Sequence, residues 1–193
     1  MRKFFSIFAL TAMCCAMTAQ AEPAINYNYF DAAYQWTHAD ADGIKDANGL
    51  DSKLSIGLID YLALEGGYSY MDSEADGVDF DLEEFRYGLV GYYPICPELQ
   101  LQARAGGQVG TFDTAGYWDA KDGAYGGLGI RYLVTDTIEL EGTATYSYYS
   151  GATSWEYEGV SLFGLTDMLA VKAGIGFNDD SDMQLTGGLR LAF

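Results

Sequence analysis

Apolar and polar positions alternate with a period of two along most of this chain, and the last ten residues show it most cleanly. Counting back from Phe193, the residues Leu191, Leu189, Gly187 and Leu185 share one face of an extended strand, while Ala192, Arg190, Gly188, Thr186 and Gln184 share the other. Residues 26–38 repeat the pattern, with Phe30, Ala32, Tyr34 and Trp36 against Tyr29, Asp31, Ala33, Gln35 and Thr37. A second strand sets Leu54, Ile56 and Leu58 against Asp51, Lys53, Ser55 and Gly57. After a tight turn at 59–61, a third sets Leu62, Leu64, Tyr68 and Tyr70 against Ala63, Glu65, Gly67 and Ser69. The fourth carries Phe85, Tyr87, Leu89, Gly91 and Tyr93 opposite Glu84, Arg86, Gly88 and Val90, and prolines at 94 and 97 close it, because proline cannot donate to a ladder.

Further strands continue the alternation. The fifth places Leu99, Leu101, Ala103, Ala105 and Val109 opposite Gln100, Gln102, Arg104, Gly106 and Gln108, and the sixth places Leu128, Ile130 and Tyr132 opposite Gly127, Gly129 and Arg131. In the seventh Ile138, Leu140, Ala144, Tyr146 and Tyr148 oppose Glu139, Glu141, Thr143, Thr145 and Ser147. Residues 155–165 form a poorer strand, and 164–167 repeat the turn chemistry of 133–136. A ninth strand at 168–177 carries Lys172 on its polar face, and the C-terminal strand makes ten. Eight strands remain the alternative, with 155–165 then joining a long loop. Between the strands, tight turns on one side alternate with acidic loops at 39–49, 72–81, 111–123 and 178–182 on the other.

Composition agrees with an all-β chain: 24 Gly, 16 Tyr and 10 Phe stand beside only 3 Pro. A mean hydropathy near zero, −0.03, suits strands of which only alternate residues are apolar.

The N-terminus adds a destination. Arg2 and Lys3 precede an apolar run over 4–15, and Ala19, Gln20 and Ala21 form a small-residue cleavage site. Residues 1–21 are therefore expected to be a secretory signal peptide, leaving 22–193 as one domain. The run is shorter than the roughly 18 apolar residues of a membrane-spanning helix. Removal of Arg2 and Lys3 shifts the net charge from −18 to −20, which excludes nucleic acid as a partner, since phosphate binding needs clustered cations. It also removes Cys14 and Cys15, so the exported chain is expected to keep Cys96 without an internal disulfide.

A chain that ends on Phe193 after such an alternation resembles the closing strand of bacterial outer-membrane β-barrels, and more broadly the porin-like and OmpA-type transmembrane barrels. The resemblance implies a transmembrane, antiparallel, up-and-down barrel of a Gram-negative outer membrane, with apolar residues facing lipid and polar ones facing the lumen. It assigns Leu189, Leu191 and Phe193 to the signal read by the barrel assembly machinery. Outer-membrane lipid, lipopolysaccharide and periplasmic chaperones are the other partners it implies. Closure also has a physical motive, because in hydrocarbon it alone leaves no unpaired strand edge.

Three groups of residues are candidates for function. Asp31, Asp51, Glu65, Glu84, Glu139 and Glu141 share the polar face with Lys53, Arg86, Arg104, Arg131, Lys172 and Arg190, a balanced set that suits a lumen filled by charge pairs. The acidic loops offer oxygen ligands for divalent cations, although no calcium-loop spacing is completed. His38, the only histidine, lies near Asp40 and Asp42, which resembles the rim sites of outer-membrane proteases, whereas lipid-modifying barrels pair a His with a Ser, and no motif fixes a catalytic partner here. The expectation is a non-enzymatic barrel without cofactor or resident metal, structural or interacting through its loops. A narrow channel for small solutes is the rival, and a rim hydrolase using His38 comes third.

Overall fold

The computed structural model describes residues 25–38, 46–75, 78–114, 117–179 and 181–193. The expected leader lies outside them. Ten antiparallel strands follow one another: β1 (Tyr29–His38), β2 (Ala47–Ile59), β3 (Leu62–Ala75), β4 (Val78–Cys96), β5 (Leu99–Thr114), β6 (Tyr117–Thr135), β7 (Ile138–Tyr149), β8 (Ala152–Gly164), β9 (Leu169–Asn178) and β10 (Met183–Ala192). Each pairs with its neighbours in sequence, and β1 pairs with β10 to close the barrel. The closing ladder runs unbroken from Tyr29 opposite Ala192 to His38 opposite Met183. Ten strands, and not eight, are present, because Ala152–Phe163 pair with β7 and Glu156–Gly164 pair with β9.

The alternation read from the sequence sets the two surfaces. Phe30, Tyr34, Leu54, Leu64, Phe85, Tyr87, Leu101, Leu128, Tyr146 and Leu189 are exposed on the outside, whereas Asp31, Ser55, Glu65, Gln100, Arg104, Gln108, Arg131 and Lys172 are buried inside. Aromatic residues edge the outer band. On β8, Trp155 and Phe163 are eight residues apart, about 26 Å along the strand and ~20 Å of height when tilted, which fits the roughly 25 Å apolar band of outer-membrane barrels.

Short turns lie at the end where the chain enters and leaves, at 60–61, 97–98, 136–137 and 165–168. Such turns face the periplasm in this class of barrel. At the opposite end the structure corrects two loops. Residues 72–81 and 111–123, expected as acidic loops, are largely ladder: Asp72 opposes Asp81, and Phe112 opposes Asp119. The strands β4 and β6 reach 19 residues each, well beyond the roughly 9–11 that span a bilayer. Hairpins β3–β4 and β5–β6 therefore rise above the membrane as a paired wall.

Two local features shape the interior. Gly88 and Gly106 oppose each other across β4 and β5, and a Cβ on Gly106 would lie 2.0 Å from the Tyr87 carbonyl oxygen. Tyr125, only 7% exposed, packs over this thin patch. Near the periplasmic end the β4–β5 register shifts between Pro94 and Cys96, and Leu99, opposite Tyr132 in the β5–β6 ladder and so on the outward face, is buried there beside Cys96 with Ile95 and Ile130 packed alongside. Cys96 itself is buried and is disulfide-bonded in the full-length chain.

Candidate functional site: the barrel lumen

The periplasmic half of the lumen is filled. Asp31 on β1 is fully buried and accepts two hydrogen bonds from Arg190 on β10, Nε at 2.7 Å and Nη2 at 2.8 Å. These two residues are direct partners in the closing ladder, so the pair spans the barrel seam. Lys172 Nζ approaches Asp31 at 3.7 Å and Asp51 at 3.9 Å. Arg190 also lies 3.7 Å from Glu141, which Arg104 meets at 3.3 Å, and Arg104 reaches Glu65 at 3.7 Å. Arg131 pairs with Glu139 at 2.5 Å. The Tyr29 ring lies 3.9 Å from the Arg190 guanidinium carbon, a cation–π contact inside the same layer.

Beneath this layer the segment before β1 turns into the barrel mouth. Ile25 and Tyr27 are buried against Ala63 and Val90, with Tyr92 and Leu133 packed alongside. Tyr27 stacks on Tyr92 at 3.7 Å between ring centroids, and its hydroxyl accepts a hydrogen bond from Gln102 Nε2 at 3.2 Å. Arg131 donates to the Asn26 carbonyl at 3.1 Å. This stopper was not foreseen, although Tyr27 has the same parity as inward Tyr29 and Asp31, and extending the alternation two residues back would have found it.

The outer half of the lumen is a cup of about 750 Å³. Arg86 stands in its wall between Glu84, a close ion pair, and Glu156, at 3.2 Å. Tyr149 donates its hydroxyl proton to Glu84. Glu156 and Glu158 on β8 both line the cup and were absent from the predicted charge set. Lys53 and Glu158 also line it, and neither has an ion-pair partner among the described residues. Eleven of the twelve predicted charges thus sit in ion pairs and the twelfth, Lys53, faces the cup.

The remaining predicted positions lie elsewhere. His38 is exposed at the rim, its Nδ1 2.7 Å from Asp46 Oδ1, while Asp40 and Asp42 lie outside the described residues. Among the described residues no group of three or more His, Cys, Asp or Glu side chains is arranged to hold a metal ion. Leu189, Leu191 and Phe193 all project from the outer surface, and the Phe193 amide donates to the Asn28 carbonyl at 3.1 Å.

A closed ten-stranded ladder, apolar outside and charged inside, with turns short at one end only, defines a transmembrane β-barrel of the outer membrane. The chain belongs to the outer membrane protein beta-barrel domain family, whose model matches residues 6–193. Among solved structures it is similar to the NanC porin, at 10% identity and a TM-score of 0.57 over 85% of this chain and 100% of that one. It is also similar to the outer membrane protein OprG from Pseudomonas aeruginosa, at 12% identity and a TM-score of 0.51 over 89% and 99%. These likenesses concern the fold. A search of curated proteins by sequence finds no match.

Proposed function

We propose that this protein is a non-enzymatic outer-membrane barrel that is closed to free flow and acts at its outer face. The observation that carries this reading is the buried layer across the lumen: Asp31, Arg131, Lys172, Arg190, Glu141 and Arg104 are all at most 9% exposed, and the Tyr27 stopper lies below them. Charges held this tightly conduct only if they move, and moving one strands a buried partner. The test is the purified, folded protein in a planar lipid bilayer. No steady single-channel steps are expected, and reproducible steps from the unmutated protein refute closure.

A narrow channel is the second reading. The cup favours it, since it already opens the outer half of the lumen to water, and so does the likeness to NanC, which is described as a porin.

A further inference from the structure

The lumen is short of cations. Glu156 and Glu158 added to the predicted set give eight carboxylates against six cations, and the cations are stretched to cover them. Arg86 serves both Glu84 and Glu156, and Lys172 serves both Asp31 and Asp51. Arg104 serves both Glu65 and Glu141. The shortfall of two is not spread evenly. Below the cup, Asp31 receives two hydrogen bonds from Arg190 and has Lys172 nearby, whereas in the wall of the open cavity Glu84 and Glu156 share Arg86 and Glu158 has no ion-pair partner among the described residues.

We propose that the cup binds a small organic dication of the linear diamine class, one ammonium group completing the Glu84 and Glu156 pair and the other meeting Glu158. The proposal deepens the reading of an outward-acting, closed barrel and rests on it for the sidedness of the cup. A cavity of about 750 Å³ has the size of an organic ligand site and far exceeds a bare ion. Its wall also supplies what such a solute needs between its charges: Phe80 and Leu82 for methylenes, and Gln35, Asn178 and Gln184 as further acceptors. No described cluster offers three metal ligands, which favours an organic cation over a metal ion. Asp46, Asp72, Asp81 and Asp179 around the outer end add a negative field that steers cations inward.

The test is isothermal titration of 1,4-diaminobutane into the folded protein in non-ionic detergent at low salt. Saturable one-to-one binding that weakens with salt is expected, with butylamine weaker and 1,4-butanediol and succinate not binding. Glu158→Gln and Glu156→Gln should each weaken the diamine about tenfold, the scale of one hydrogen bond to a charged group. Lys53→Gln should tighten it, an opposite sign that a merely structural role does not produce. Each variant is first checked for heat-modifiable mobility, and two independent carboxylate variants keep the test decisive if one misassembles. Absent binding, equal binding of butanediol, or Mg²⁺ binding as tightly as the diamine overturns the proposal. Bilayer conductance separates the two levels: a conducting protein that binds diamine refutes closure alone, and a silent protein that ignores diamine refutes the ligand alone.

Discussion

Removing Arg190 is the sharpest test of the filled lumen. Arg190→Ala deletes two hydrogen bonds to a fully buried carboxylate, each worth about 1.5–3 kcal/mol as a charge-assisted bond. It also deletes the contact with the Tyr29 ring, worth about 1–2 kcal/mol in a desolvated site. Against this, Lys172 at 3.7 Å remains to hold part of the Asp31 charge, and the mutation removes the desolvation cost of the guanidinium itself. The net loss should fall near the lower end of the range for a broken buried pair, about 3 kcal/mol. The assay is urea unfolding of protein folded into lipid vesicles, followed by tryptophan fluorescence, with wild type and variant compared at equal slope. Replacing both partners, Asp31→Leu with Arg190→Met, should restore much of the loss, because no charge is then stranded. A loss below about 1 kcal/mol, the range of solvated pairs, refutes a dry interior.

Other outcomes follow from the same structure. Deleting Phe193 should lower the heat-modifiable, membrane-embedded fraction in cells, and unchanged assembly would count against its role in recognition. Gly188→Val puts a Cβ 2.2 Å from the Ala32 carbonyl oxygen in the closing ladder, so it should impair assembly far more than Gly187→Val, whose Cβ meets nothing within 4 Å; equal yields of the two refute the seam geometry. Leu128→Arg, on an outward residue that is 69% exposed, should cost about 2–4 kcal/mol in vesicle unfolding if it lies at mid-bilayer. Tyr27→Ala should speed access of a periplasmic probe to the lumen, read as faster labelling of a cysteine placed at Gln102, and an unchanged rate refutes the stopper.

Nearly all of the barrel was legible because lipid and lumen impose opposite chemistries on alternate residues. Where that contrast weakens, the reading weakened too. On β8 the inward face changes character midway, from Glu156 and Glu158 to buried Val160 and Leu162, while Gly159 and Ser161 interrupt the outward face. The period of two is intact in geometry but blurred in polarity, and the two carboxylates of the cup were missed for this reason. Above the bilayer both faces of β3 to β6 meet water, so Asp72, Asp81 and Asp119 report solvent and not loop. The ion-pair choices were never in the sequence: that Arg104 joins Glu141, 37 residues away, depends on closure.

The tall hairpins undo, above the membrane, what closure achieves within it. Over Tyr117–Asp122 the last strand of the wall has a neighbour only on the β5 side, since its pairing with β7 starts at Gly123 and Tyr149. That stretch is a bare strand border of the kind through which proteins stack into ribbons. Asp119, Lys121 and Asp122 stand along it, all exposed. In a crowded outer membrane, where copies drift at fixed height and meet side to side, a border so charged keeps one barrel from zipping onto the next.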